Sequence, residues 1–203
     1  RDELIEAGDQ LQSIGNYHYE VMVRCNLGLL YHLDGNNQAA RSTLEHAVFL
    51  AQGHGDLRFE ALACTRLGYV LAAVDQLSQA RRMVERGQQL HDQMGQLYYA
   101  VNAVAGLARI AALQGDHESA LDHVVTIWET IGGKEMDETI ETARTLRTCF
   151  TFFDADSDPR AAAVLSMARA QLQHRVSTID DPEQVEQFWQ IEDHRFFQEI
   201  VGF

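Results

Sequence analysis

The residues best suited to metal chemistry are the clustered acids Asp154-Ala155-Asp156-Ser157-Asp158. Their alternation matches the first ligand positions of an EF-hand calcium loop. That loop also needs a glycine at its sixth position and a bidentate glutamate at its twelfth. These positions hold Pro159 and Leu165 here. We therefore interpret the acids as a turn and helix-capping cluster, and predict no metal site.

Other candidates for catalysis or cofactor binding also lack the required spacing. None of the nine histidines lies four residues from another, as the zinc motif HExxH requires. Gly132-Gly133-Lys134 lacks the upstream glycine and the following hydroxyl of a phosphate-binding loop. No GxSxG nucleophile motif is present, and Cys149 is expected to be a core thiol. The sequence therefore predicts a protein that is not an enzyme and that needs no cofactor.

The charge and the cysteines limit the partners and the compartment. The formal net charge of −14 argues against contact with nucleic acid or with an anionic membrane surface. No apolar run approaches the ~20 residues that span a bilayer. The three cysteines are widely spaced and form no CxxC pair, which favours reduced thiols in a cytoplasmic protein. Because the chain begins with Arg1, we expect that the natural N-terminus is missing.

A repeat of 40 residues organises the chain. This spacing separates the dipeptides Leu27-Gly28, Leu67-Gly68 and Leu107-Ala108. It also separates the alanines Ala40, Ala80 and Ala120 and the loop residues Gly35, Asp75 and Gly115. Apolar residues between the loops follow helical spacing. A fixed period of this size in a helix-rich sequence predicts a solenoid of stacked helical hairpins.

The repeat divides the chain into six segments. We expect an all-α solenoid, a right-handed superhelix of about four antiparallel hairpins, followed by a capping helix from Glu183 to about Ile200. The fourth unit is degenerate, with its first helix predicted from about Asp137 to Phe153. The predicted boundaries are 1–16 for the second helix of a preceding repeat, 17–56, 57–96 and 97–135 for repeats 1 to 3, 136–180 for repeat 4, and 181–203 for the capping helix.

The repeated residues resemble the tetratricopeptide repeat (TPR), which places Leu-Gly and an aromatic residue on its first helix and small residues on its second. The first unit matches with Leu27, Gly28, Tyr31, Ala40, Leu44 and Ala47, and the later units match more loosely. The usual first-helix tryptophan is replaced by Arg24, Cys64 and Val104. Since the ordinary period is about 34 residues, each helix should be roughly one turn longer. Such long units resemble the arrays of large bacterial signalling ATPases and transcription activators.

The resemblance implies a concave groove lined by the first helices. We expect a partner to contact eight residues there: Met22, Cys25, Leu29, Thr65, Tyr69, Asn102, Arg109 and Phe152. The clamp for a terminal carboxylate found in some TPR proteins is not expected, because positions 25, 65 and 105 hold no lysine. A groove that is packed shut or unused remains an alternative.

The resemblance therefore implies binding rather than catalysis. The first hypothesis is a protein-interaction and sensory segment of a larger bacterial regulator, which binds a protein, a peptide or another domain of the same polypeptide. The second is a free-standing TPR adaptor or peptide receptor.

Overall fold

The computed structural model describes residues 1–132 and 140–202, with only the backbone of Ile140. These residues form helices and no strand. The helices are α1 (Asp2–Ser13), α2 (Tyr17–Leu33), α3 (Asn37–His54), α4 (Leu57–Ala73), α5 (Leu77–Gln93), α6 (Leu97–Leu113), α7 (His117–Ile131), α8 (Ile140–Ala155), α9 (Arg160–Ser177), α10 (Pro182–Gln190) and α11 (Glu192–Val201). The predicted start of the fourth unit at 136, and of its helix at Asp137, lies outside the described residues.

The bends recur at every twentieth residue. Six residues have a left-handed backbone with φ between 60° and 78°: Gly15, Gly35, Gly55, Asp75, Gly95 and Gly115. At each bend the next residue donates its N–H to a carbonyl five residues back, as in the 2.8 Å bond from Asn36 to Tyr31. This pairing satisfies a carbonyl at the helix end and reverses the chain direction. The hairpin period is therefore set locally, in the backbone of each bend.

Side-chain caps begin several of the helices. Asn36 and Asp56 accept hydrogen bonds from the N–H groups of Ala39 and Phe59. Asp158, in the acidic cluster, accepts a bond of 2.8 Å from the N–H of Arg160 and also pairs with its guanidinium. This geometry agrees with the capping interpretation of that cluster.

The helices form two layers. Each helix from α1 to α7 packs against its successor, and α8 packs against α9. In addition, α2 contacts α4, α4 contacts α6, and α6 contacts α8. The first helices α2, α4, α6 and α8 thus form one continuous layer, which we call the inner wall.

Small residues permit the close approach of the two layers. A Cβ atom on Gly28 would lie 2.5 Å from Cγ of Leu44. One on Gly68 would lie 3.1 Å from the carbonyl oxygen of Ala80 and would clash with Val84. Gly28 and Gly68 therefore mark positions where the two layers approach too closely for a larger side chain.

The C-terminal segment differs from the single capping helix predicted. Ile191 adopts an extended backbone (φ −62°, ψ 124°) that separates α10 from α11. The imidazole Nδ1 of His194 donates to the carbonyl of Phe188 at 2.9 Å across this break. Phe197 is fully buried and meets Phe150 edge to face, while α11 packs against both α8 and α9. The helix breaks because its second half turns back onto α8, a contact that helical periodicity does not encode.

Candidate functional site

Four of the eight predicted groove residues line cavities, and four do not. Thr65 and Asn102 line one cavity, while Tyr69 and Arg109 line another. The other four, which line neither of these two cavities, are Met22, Cys25, Leu29 and Phe152.

Cys25 and Phe152 require a correction. Cys25 is fully buried in a core cluster with Val21, Ala47, Ala51 and Ala63. Phe152 is 9% exposed, belongs to the C-terminal core and packs beside the ring of His117. Neither side chain is available to a partner on the inner wall, because neighbouring helices and the C-terminal segment cover it.

The first cavity, which we call the aromatic cavity, has a volume of about 480 Å³. It lies between the N-terminal halves of α4, α6 and α8. Its lining is Arg58, Phe59, Leu62, Thr65, Arg66, His91, Tyr98, Tyr99, Val101, Asn102, Glu141, Thr142 and Thr145. The imidazole of His91 stacks on Tyr99, and burial lowers the pKa of His91, so this ring stays neutral at physiological pH.

The second cavity, which we call the arginine cavity, has a volume of about 1070 Å³. It lies between the C-terminal halves of α2, α4 and α6 and the C-terminal segment. Its lining is Leu30, His32, Leu33, Asp34, Gly68, Tyr69, Ala72, Ala73, Val84, Gly106, Arg109, Ile110, Leu113, Arg144, Gln187, Gln190, Ile191, Glu192, Asp193 and Arg195. Aliphatic side chains and guanidinium groups therefore share one concave surface.

Tyr69 connects the linings of the two cavities. Its hydroxyl donates to the backbone carbonyl of Asn102 at 2.9 Å, and the guanidinium carbons of Arg144 and Arg109 lie 4.6 and 5.7 Å from its ring centroid. Burial raises the pKa of Tyr69 to about 12, although the two arginines oppose this shift. Tyr69 is only 6% exposed, so it orders the inner wall and offers little surface to a ligand.

A buried ion pair crosses the inner wall beside Tyr69. Arg66 on α4 donates from Nε to Glu141 on α8 at 2.8 Å, and from Nη1 to Asn26 on α2 at 3.0 Å. Burial alone raises the pKa of Glu141, but the charge and hydrogen bonds of Arg66 lower it below its usual value. The middle of the predicted groove is thus filled by the protein's own paired side chains.

The ionic contacts of the C-terminal segment were not predicted from the sequence. Asp193 is paired with Arg144 at 3.4 Å and with Arg147 at 3.0 Å, and Glu192 is paired with Arg147 at 2.9 Å. Adjacent acids in Glu192-Asp193, with two arginines on α8, were the only signal for these pairs. The partners are 45 to 49 positions apart, so no local pattern joins them.

The described residues offer little reactive chemistry. Burial raises the pKa of Cys25, Cys64 and Cys149 to about 12, so these thiols are protonated at neutral pH and are poor nucleophiles. Within 1–132 and 140–202, no group of three His, Cys, Asp or Glu side chains is arranged to hold a metal ion. None of the helices there is long and apolar enough to cross a membrane. The inner wall instead contributes to the two cavities described above.

The paired helices, the 20-residue bends and the inner wall define an all-α repeat solenoid of the TPR type. No protein-family model and no curated protein sequence matches the chain. Solved structures do match. BtubC (BKLC) from P. vanneervenii superposes with a TM-score of 0.62 at 16% identity, over 99% of this chain and 81% of its own.

A second similar structure is a kinesin-light-chain-type protein of Podosopora anserina with nearly identical TPR-like repeats. It superposes with a TM-score of 0.52 at 14% identity, over 89% of this chain and 97% of that one. A single-substitution variant of that protein gives a TM-score of 0.54 at 13% identity, over 87% and 96% of the two chains. These similarities show the TPR-type fold that the sequence predicted.

Proposed function

We propose that this chain is a protein-interaction domain that binds a segment of a partner protein in the arginine cavity. The observation that carries the proposal is the cavity itself. Its volume of about 1070 Å³ is at the upper end of the range typical of ligand pockets and can hold several residues of a peptide. Repeat solenoids use such concave surfaces for binding.

The lining supports a peptide rather than a small polar ligand. Leu30, Leu33 and Leu113 supply apolar surface, and Leu113 is 61% exposed. An exposed leucine of this kind gains free energy when an apolar side chain covers it, at about 25 cal/mol per Å² of buried apolar area. The guanidinium of Arg109 adds a polar contact at the same surface.

The experiment selects binders with a dodecapeptide display library and maps them with matched variants. Ala73→Trp places a large ring in the arginine cavity, whereas Ala170→Trp places the same ring on an exposed position of α9 outside the cavity lining. We expect selected peptides to bind the wild type and Ala170→Trp equally, and to bind Ala73→Trp at least roughly tenfold more weakly. Equal binding by both variants, or no selected peptide at all, would refute the proposal.

We further propose that the domain is a sensory segment of a larger bacterial regulatory protein, with signalling or transcription as its output. The support is the resemblance of its long repeats to the arrays of such proteins. A bound partner would act by stabilising one packing of neighbouring repeats over another. The other candidate is a free-standing adaptor with the same groove.

The complete gene distinguishes the two contexts. A nucleotide-binding segment or a helix-turn-helix in the same reading frame would support the regulator. A reading frame that encodes only this solenoid would overturn the regulator and leave the adaptor. Both outcomes are independent of the peptide-binding test.

A further inference from the structure

The lining of the arginine cavity contains three arginines and three acids, but each of the acids already has an arginine partner. We propose that the cavity binds an acidic side chain of the partner segment, through Arg109 of the inner wall and Arg195 of the C-terminal segment. This inference rests on the proposed function and specifies the chemistry of the ligand. It also makes the C-terminal segment part of the binding site rather than a cap alone.

The acids that line the cavity already have arginine partners. Asp34 is paired with Arg1 at 3.1 Å. Glu192 is paired with Arg147, and Asp193 with Arg144 and Arg147. Arg1 and Arg147 do not belong to the cavity lining. They therefore neutralise acids of the lining without adding positive charge to it.

Two arginines of the lining are left without a carboxylate among the described residues. Arg109 is exposed, and in the described part of the chain its guanidinium has no ion pair or hydrogen bond and lies 5.7 Å from the ring centroid of Tyr69. Arg195 is also exposed, and within 1–132 and 140–202 its side chain has no ion pair or hydrogen bond. Such free cations in the largest of the cavities described above stand out in a chain with a net charge of −14.

A buried guanidinium, that of Arg144, also belongs to the cavity lining. Arg144 is 3% exposed, and its Nη1 has no hydrogen-bond partner among the residues that the structure describes. Its nearest acid, Asp193, lies 3.4 Å away and is shared with Arg147. Since the surroundings of Arg144 exclude water, its charge is screened less than that of a surface arginine. Because Arg144 is already paired with Asp193, the positive charge available to a ligand is that of Arg109 and Arg195.

The chemistry of the site favours a carboxylate on a peptide. Guanidinium groups bind planar carboxylates through paired, charge-assisted hydrogen bonds. The aliphatic lining beside Arg109 fits the apolar residues that flank an acidic one in a peptide. A phosphorylated residue would also present negative charge, and the test below separates the two.

The test measures the affinity of four fluorescent octapeptides for the full chain. Each alternates leucine with one other residue: glutamate, glutamine, lysine or phosphoserine. We expect the glutamate peptide to bind roughly tenfold more tightly than the glutamine peptide, and the lysine peptide not to bind. Added salt should lower the affinity of the glutamate peptide and leave the affinity of the glutamine peptide nearly unchanged.

Charge reversals locate the effect. Arg109→Glu and Arg195→Glu should each abolish the preference for glutamate over glutamine. Arg169→Glu changes the total charge equally at an exposed position of α9 and should retain the preference. Thermal unfolding of each variant checks that the fold persists.

The outcomes separate this inference from the proposed function. Equal affinity for the glutamate and glutamine peptides, lost in Ala73→Trp, would overturn the acidic preference and leave peptide binding intact. A preference that survives both Arg109→Glu and Arg195→Glu would also overturn the proposed site. Tighter binding of phosphoserine than of glutamate would replace the carboxylate with a phosphate ligand. If Ala73→Trp changes no affinity, the proposed function itself fails.

Discussion

Arg66 donates a hydrogen bond of 2.8 Å to Glu141, although 75 positions separate them in the chain. The pair joins α4 to α8, two helices of the inner wall that have α6 between them. Both residues are 8% exposed. The contact therefore links two helices of the inner wall that are not neighbours in the stack.

Glu141→Gln should lower the free energy of unfolding by about 3 kcal/mol, because it leaves the buried charge of Arg66 without its carboxylate. The double variant Arg66→Met with Glu141→Met should stay within about 1 kcal/mol of the wild type, since both buried charges are gone. Urea unfolding followed by circular dichroism measures both. Equal losses in the single and double variants would show that the pair contributes packing and not charge.

The stability of the C-terminal segment should depend on pH through His194. Burial lowers the pKa of His194 from 6.5 to about 4, helped by Arg175 and opposed by the hydrogen bond to Phe188 and by Asp193. Between about pH 4 and pH 6.5, His194 is mostly protonated in the unfolded chain and mostly neutral in the folded chain. The contribution of neutral His194 to the free energy of unfolding is therefore complete above about pH 6.5, and it is lost as the pH falls toward about 4.

The loss from His194 at about pH 5 should be about 2 kcal/mol relative to neutral pH. The tryptophan fluorescence of Trp189, next to Phe188, can report urea unfolding at the two pH values. In His194→Gln, the free energy of unfolding should fall by about 2 kcal/mol less between neutral pH and about pH 5. The fall that remains reports the other histidines with lowered pKa values, such as His32 and His91. An identical pH dependence in the variant would exclude His194 as its source.

Gly68→Ala should destabilise the fold by about 2 kcal/mol, because the added methyl group overlaps Val84 and crowds the carbonyl of Ala80. Gly53 provides the matched control. It lies in α3, and a Cβ atom there would meet nothing within 4 Å. Gly53→Ala should therefore stabilise by about 0.5 kcal/mol through helix propensity. The Tm should fall in Gly68→Ala and rise in Gly53→Ala. A shift of both Tm values in the same direction would contradict the close packing at Gly68.

The sequence predicted the repeat well because its determinants are local. A left-handed residue at every twentieth position and a small residue at each close crossing are both visible in the order of the residues. That a partner contacts the predicted groove residues stays a prediction, but the positions of four of them can be described. Thr65, Tyr69, Asn102 and Arg109 follow the 40-residue step and do line cavities on the inner wall.

The remaining features depend on contacts between distant segments. The sequence determined the helices, their bends and the layer to which each belongs, because backbone conformation and helical periodicity act over a few residues. Only the tertiary structure decided which parts of the inner wall stay open. The pairing of Arg66 with Glu141, and of Arg144 with Asp193, depends on how the repeats curve and where the C-terminal segment turns at Ile191. Small rotations summed over several repeats set that geometry, and no single repeat contains it.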